Sequence, residues 1–110
     1  MGDEKEDLRG KVLNLRDLAA FQEGAVVSRM VVFRKNGTIT AFAFDAGEGL
    51  SEHTAPYDAL VQGLEGEAEI TIGGKPHRLK EGQLLIMPAR VPHAVKALSR
   101  FRMLLTMIHE

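Results

Sequence analysis

Residues 51–74, SEHTAPYDALVQGLEGEAEITIGG, set one histidine ahead of a patterned run that closes on two glycines. Within it, Ala68, Ile70 and Ile72 alternate with Glu67, Glu69 and Thr71, the period of a strand with one dry and one wet face. Working outward, the same texture recurs. Upstream, AVVSRMVVFRK and TITAFAFDAG are β-branched and aromatic runs joined by KNG, whose Asn36-Gly37 pair predicts a tight hairpin turn at positive φ. Downstream come KPHRLKEG, QLLIMPA, HAVKAL and RFRMLLTMIHE, with glycine, proline or charge clusters in nearly every gap. The spacing reads all-β. VVF, LLIM and MLL are apolar on both sides, which predicts a closed barrel or sandwich whose outer face meets a second subunit, hence a homodimer.

Ahead of these strands, NLRDLAAF predicts a short helix with Asn14 as N-cap and Leu15, Leu18, Ala19 and Phe21 near one face, a plug at the end of a sheet. Residues 1–9 carry six charges and almost no apolar surface, so they read as a flexible arm, and residues 10–110 as one domain.

Composition excludes several classes. A chain of 110 residues supports one modest core. Lys plus Arg total 14 against 15 Asp plus Glu, and one tyrosine without tryptophan offers little base stacking, so nucleic acid is not an expected partner. No run reaches the roughly 18 apolar residues of a membrane span, and the polar start lacks a signal peptide's apolar stretch. With no cysteine the chain has no thiol chemistry, and the cytoplasm is the expected compartment.

Four histidines are present. His77, beside Lys75 and Arg78, and the penultimate His109 read as solvated residues. His53 and His93 each stand where an irregular segment enters a strand, after DAGEGLSE and MPARVP, the junctions that line barrel mouths. Met30, Met87, Met103 and Met107 fall within apolar strands and read as core fillers. Arg100 and Arg102 alternate with apolar residues and read as one wet face.

GLSEHTAPYDALVQGLEGEAEITIGG followed by EGQLLIMPARVPHAVKAL resembles the two motifs of a small single-domain cupin, over the span from Gly49 to Leu98. The resemblance implies a cupin-type β-barrel, a double-stranded jelly roll with a short N-terminal helix. In that family the first motif carries His-x-His and a glutamate and the second a further histidine. Here His53, Gly66, Gly82, Pro88 and His93 match, while Ala55 and Ala59 stand for the other two donors and Arg90 for a common glycine.

Two imidazoles can hold a divalent transition metal such as Zn, Ni, Cu or Fe, but catalytic sites usually use three protein ligands. Asp58 and Glu52 have the wrong strand parity to replace Ala59 or join His53, and Glu48 lies in a loop. The leading reading is therefore a cofactor-free pocket for a small organic molecule, lined by His53, His93 and Tyr57, with Val61 and Gly63 on the same strand face. The alternative is a metal-dependent cupin enzyme, a dioxygenase or isomerase, with His53 and His93 as ligands. Proton transfer by the two histidines on a sugar or keto acid, and a purely structural or interaction role, stay open beside these. The sequence does not decide whether the protein is an enzyme.

Overall fold

The computed structural model describes residues 7–109; most of the proposed flexible arm lies outside them. Nine strands follow one another: β1 (Val26–Arg34), β2 (Gly37–Phe44), β3 (Gly49–His53), β4 (Ala59–Glu65), β5 (Glu67–Ile72), β6 (Lys75–Lys80), β7 (Leu84–Met87), β8 (His93–Ala97) and β9 (Phe101–Ile108). They form a five-stranded sheet, β1-β2-β9-β4-β7, and a four-stranded sheet, β3-β8-β5-β6, with antiparallel pairing throughout. The fold is an all-β jelly-roll barrel. Among the described residues, no helix is long and apolar enough to cross a membrane.

Alternation builds the core. Ala59, Val61, Met87, Met103, Phe44 and Phe101 from the larger sheet meet Ala68, Ile70, Leu79, Val95 and Ala97 from the smaller one. The rings of Phe44 and Phe101, both fully buried, lie 5.8 Å apart and pack one end of the barrel shut. Truncating either to alanine removes about 3–5 kcal/mol. At this packed end β4 turns into β5 through Gly66, at φ +80°, where a Cβ would meet the Arg100 carbonyl oxygen at 1.9 Å. Only glycine fits. Gly73 and Gly74, both at positive φ, close the β5–β6 hairpin where Ile72 faces Lys75.

The first hairpin forms as the pattern predicts, but its turn differs. Arg34 pairs with Gly37, so Lys35 and Asn36 make the turn, and neither they nor Gly37 has a positive φ. The register shift between Met30 and Val32 already twists the strands at this end.

The N-terminal helix reduces to one 3-10 turn, Leu15–Asp17. Asn14 caps it with its backbone carbonyl, which accepts the Asp17 N–H at 3.0 Å, while its side chain makes no cap. Rather than plugging an end, the segment that follows lies along the outer face of the five-stranded sheet, where Leu18 and Ala19 bury against Ala41 and Ala43. Arg102 is not a wet-face residue. It donates through Nε to the Ala19 carbonyl at 3.0 Å, pairs with Glu65, and sits 3.9 Å over the Phe21 ring, fastening the segment down. Met87 and Met103 are core residues and Met107 packs against them, but Met30 is half exposed.

Candidate functional site

A bulge makes the site. Leu50 of β3 faces Val95 of β8, and regular pairing would then set Glu52 opposite His93. The register shifts between Leu50 and His53 instead, so His53 becomes the partner of His93 and Glu52 is left in solvent. The two rings meet edge to face, with centroids 4.5 Å apart and planes at 77°. β3 comes so close to β8 that a Cβ on Gly49 would meet the Val95 carbonyl oxygen at 2.1 Å.

His93 arrives by a constrained route. Between Pro88 and Pro92, Arg90 adopts φ 67°, the one non-glycine residue at positive φ among those described. Its N–H donates to the Ala55 carbonyl at 2.7 Å, and the Ala89 N–H donates to Asp58 Oδ1 at 2.8 Å. The loop after His53 and the loop before His93 thus brace each other. Asp58 serves as a backbone cap in this brace.

Both imidazoles are oriented by their own backbone. His53 Nδ1 lies 2.7 Å from the Ser51 carbonyl oxygen and His93 Nδ1 3.1 Å from that of Val91. A carbonyl accepts only, so each Nδ1 carries the hydrogen and each Nε2 keeps its lone pair while the ring is neutral. His93 is 3% exposed and its pKa is lowered from the ordinary 6.5, chiefly by burial and then by the neighbouring His53, with the Val91 bond opposing. His53 is exposed, so the pair runs from solvent to core.

The other two positions of the motif offer no donor. Ala55 contributes its carbonyl to the Arg90 turn. Ala59 is buried between its cross-strand neighbours Met87 and Met107. Among the described residues no three His, Cys, Asp or Glu side chains converge as a metal would need. The donor set does not fit a three-ligand metal centre.

The remaining sequence candidates are spread out. Val61 is fully buried in the core, facing Leu85 and Leu105 across the sheet. Gly63 stands four residues along β4 from Ala59, where its N–H donates to the Gln83 carbonyl at 2.8 Å and a Cβ would meet the Lys80 carbonyl oxygen at 2.6 Å. Tyr57 stacks on His109, centroids 4.1 Å apart and planes at 18°. His109 had no sequence signal beyond being a histidine, yet its Nε2 is buried without a hydrogen-bond partner among the described residues. Only the meeting of the 54–58 loop with the end of β9 could have revealed it. His77 is exposed in β6, opposite Ile70.

Outside the barrel, Pro56, Tyr57, Asp58, Leu60, Ile86, Ala89, Arg90, Thr106 and Ile108 line an open cleft of ≈ 680 Å³.

Comparison with known proteins agrees with this architecture. The family model described as "Cupin domain" matches residues 41–109. A conserved Streptococcus pyogenes protein of unknown function is 37% identical over 100% of this chain and 96% of its own, with a TM-score of 0.90. A Desulfitobacterium hafniense cupin superfamily protein is 30% identical over 93% of this chain and 94% of its own, with a TM-score of 0.87. A Leptotrichia buccalis cupin 2 conserved barrel domain protein is 40% identical with a TM-score of 0.84; the match covers 87% of this chain but 47% of that one. No curated protein matches.

Proposed function

The chain belongs to the cupin domain family, and from that premise we propose that it binds a small organic molecule, with His53 and His93 as the groups that hold it. One observation carries the reading: a backbone carbonyl takes the Nδ1 hydrogen of each ring, so each of two rings that meet edge to face keeps its Nε2 lone pair. Such a pair accepts hydrogen bonds and donates none, so it favours hydroxyl or amine groups and repels a carboxylate. Lowered proton affinity keeps His93 in this acceptor form at neutral pH.

An Nε2 lone pair is also what a metal would take, but the alanines at 55 and 59 leave two donors where catalytic sites usually have three. The ligand reading needs no third donor. A chain without cysteine suits a reducing compartment, and the cytoplasm is the one we propose.

NMR of protein labelled with 15N at the histidines tests the reading, using small polyols, amines and carboxylates as probes. Polyols or amines should shift the Nε2 signals of both rings, carboxylates should not, and His53→Ala should abolish the response of His93. Silence toward every polyol and amine, or a response unchanged in His53→Ala, would overturn it.

A further inference from the structure

His109 keeps the register of β9. The Asn36 carbonyl accepts its N–H at 2.8 Å, one step beyond the Gly37–Ile108 pair. Alternation then gives His109 the same face as Met103 and Met107. That face is the inner one: Met103 is buried in the core and Met107 packs against it, while Ile108, between Met107 and His109, is 69% exposed. His109 Nε2 is buried, yet among the described residues nothing bonds to it. A buried nitrogen without a partner is destabilising, so one that persists on an inner face calls for a group from outside the chain.

The histidine pair stands at the same end of the barrel. Met107 pairs with Ala59, the first residue of β4, and Tyr57, two residues before Ala59, stacks on His109. The loop that carries Tyr57 follows His53, and the Arg90 and Ala89 N–H bonds tie it to the loop before His93. His53 and His93 therefore close the four-stranded sheet at this end, and Tyr57 with His109 closes the five-stranded sheet, whose inner residues meet those of the smaller one across the core. Sheets packed face to face stand about 10 Å apart, a gap that one small molecule can bridge. Resting on the reading of His53 and His93 as ligand groups, we infer that His109 Nε2 is a third group of that site, on the opposite wall, and that the ligand is polyhydroxylated. A hydroxyl donates and accepts, so one can serve the lone pairs of His53 and His93 while another meets His109 in either tautomer. An amine with a single polar end satisfies only one wall. Tyr57 is a positioning residue: its ring, 4.1 Å from that of His109 and nearly parallel to it, sets the plane of the imidazole.

Titration of the full chain, labelled with 15N at the histidines, with myo-inositol and with methylamine reads the proposal. Myo-inositol should shift the Nε2 signals of His53, His93 and His109 along one binding curve. His109→Phe keeps a ring against Tyr57 and removes the nitrogen. It should weaken myo-inositol about three- to tenfold, the contribution of one hydrogen bond, and leave methylamine binding unchanged. If His53 and His93 respond while His109 stays silent or follows a separate curve, the third group is overturned and the two-histidine reading stands. The same holds if His109→Phe binds myo-inositol as tightly as wild type. Silence of all three rings toward every polyol and amine would overturn both. The wild-type titration decides on its own should the variant fail to fold.

Discussion

Gly66 and Arg90 occupy two turns where the cupin pattern has glycine, and both adopt positive φ. At Gly66, on the packed end of the barrel, the Arg100 carbonyl and the Ser99 hydroxyl fill the space a Cβ would need. Arg90, beside the histidine pair, is exposed, and its backbone is held by the Ala55 carbonyl. One turn is dictated by packing. The other tolerates a strained side chain because solvent is next to it. The two alanines of the motif differ in the same way: Ala55 is only half-buried and holds the Arg90 turn through its carbonyl, whereas Ala59 is buried between Met87 and Met107.

Substitution at the packed turn should give the largest effect. Gly66→Ala should destabilise by about 3 kcal/mol or more, since strain and a backbone clash add. Thermal melting would show a fall of roughly 15 °C. A loss no greater than that of an exposed-loop substitution would break the comparison.

Restoring donors at the other end comes next. Ala55→His with Ala59→Glu should cost about 1–3 kcal/mol without metal, because the longer carboxylate side chain must fit between Met87 and Met107. Zinc should then raise the melting temperature of the double variant well beyond any effect on wild type. Equal responses would mean that the two alanines are not what limits metal binding.

Arg90→Gly should be mildly stabilising. Relief of the strained φ outweighs the greater freedom of glycine by about 0.5 kcal/mol, measured as a higher urea midpoint at unchanged slope under conditions where the protein is monomeric. A loss of stability would show that the arginine side chain supports the fold.

The smallest effect is the pH dependence of His93. Its folded pKa lies below 6.5, so the unfolded chain binds the proton more readily. Stability from this group is therefore complete above pH 6.5 and declines as pH falls through 6.5 toward the folded value. Urea unfolding of wild type and His93→Gln across that window should show the slope only in wild type. His53→Ala should keep most of it, because burial is the larger cause. A slope lost entirely in His53→Ala would make the neighbouring charge dominant.

Much of this was legible in the residues. The alternation of Ala68, Ile70 and Ile72 placed β5, and the junctions before His53 and His93 marked the two side chains that the fold brings together. The apolar outer strands signalled a face without a cover. What escaped the sequence depends on through-space meetings or on one-residue shifts. Parity from Leu50 would have pointed Glu52 inward, and only the bulge exchanges it for His53. The stack of Tyr57 on His109 joins the loop before β4 to the end of the chain, and the clasp of Arg102 on the Ala19 carbonyl joins a strand to an irregular segment. Periodicity carries neither. The turn formed one residue earlier than the Asn36-Gly37 pair suggests, at Lys35–Asn36, with Gly37 already paired to Arg34 inside the strand and no positive φ.

The central claim is that His53 and His93 form a two-donor site that binds an organic molecule rather than a catalytic metal. Elemental analysis of untagged protein, purified without chelator beside a His53→Ala, His93→Ala double variant, tests it most directly. Wild type should carry zinc, nickel, copper, iron and manganese at far below one per chain, no more than the variant. Stoichiometric metal in wild type that is lost in the variant would contradict it.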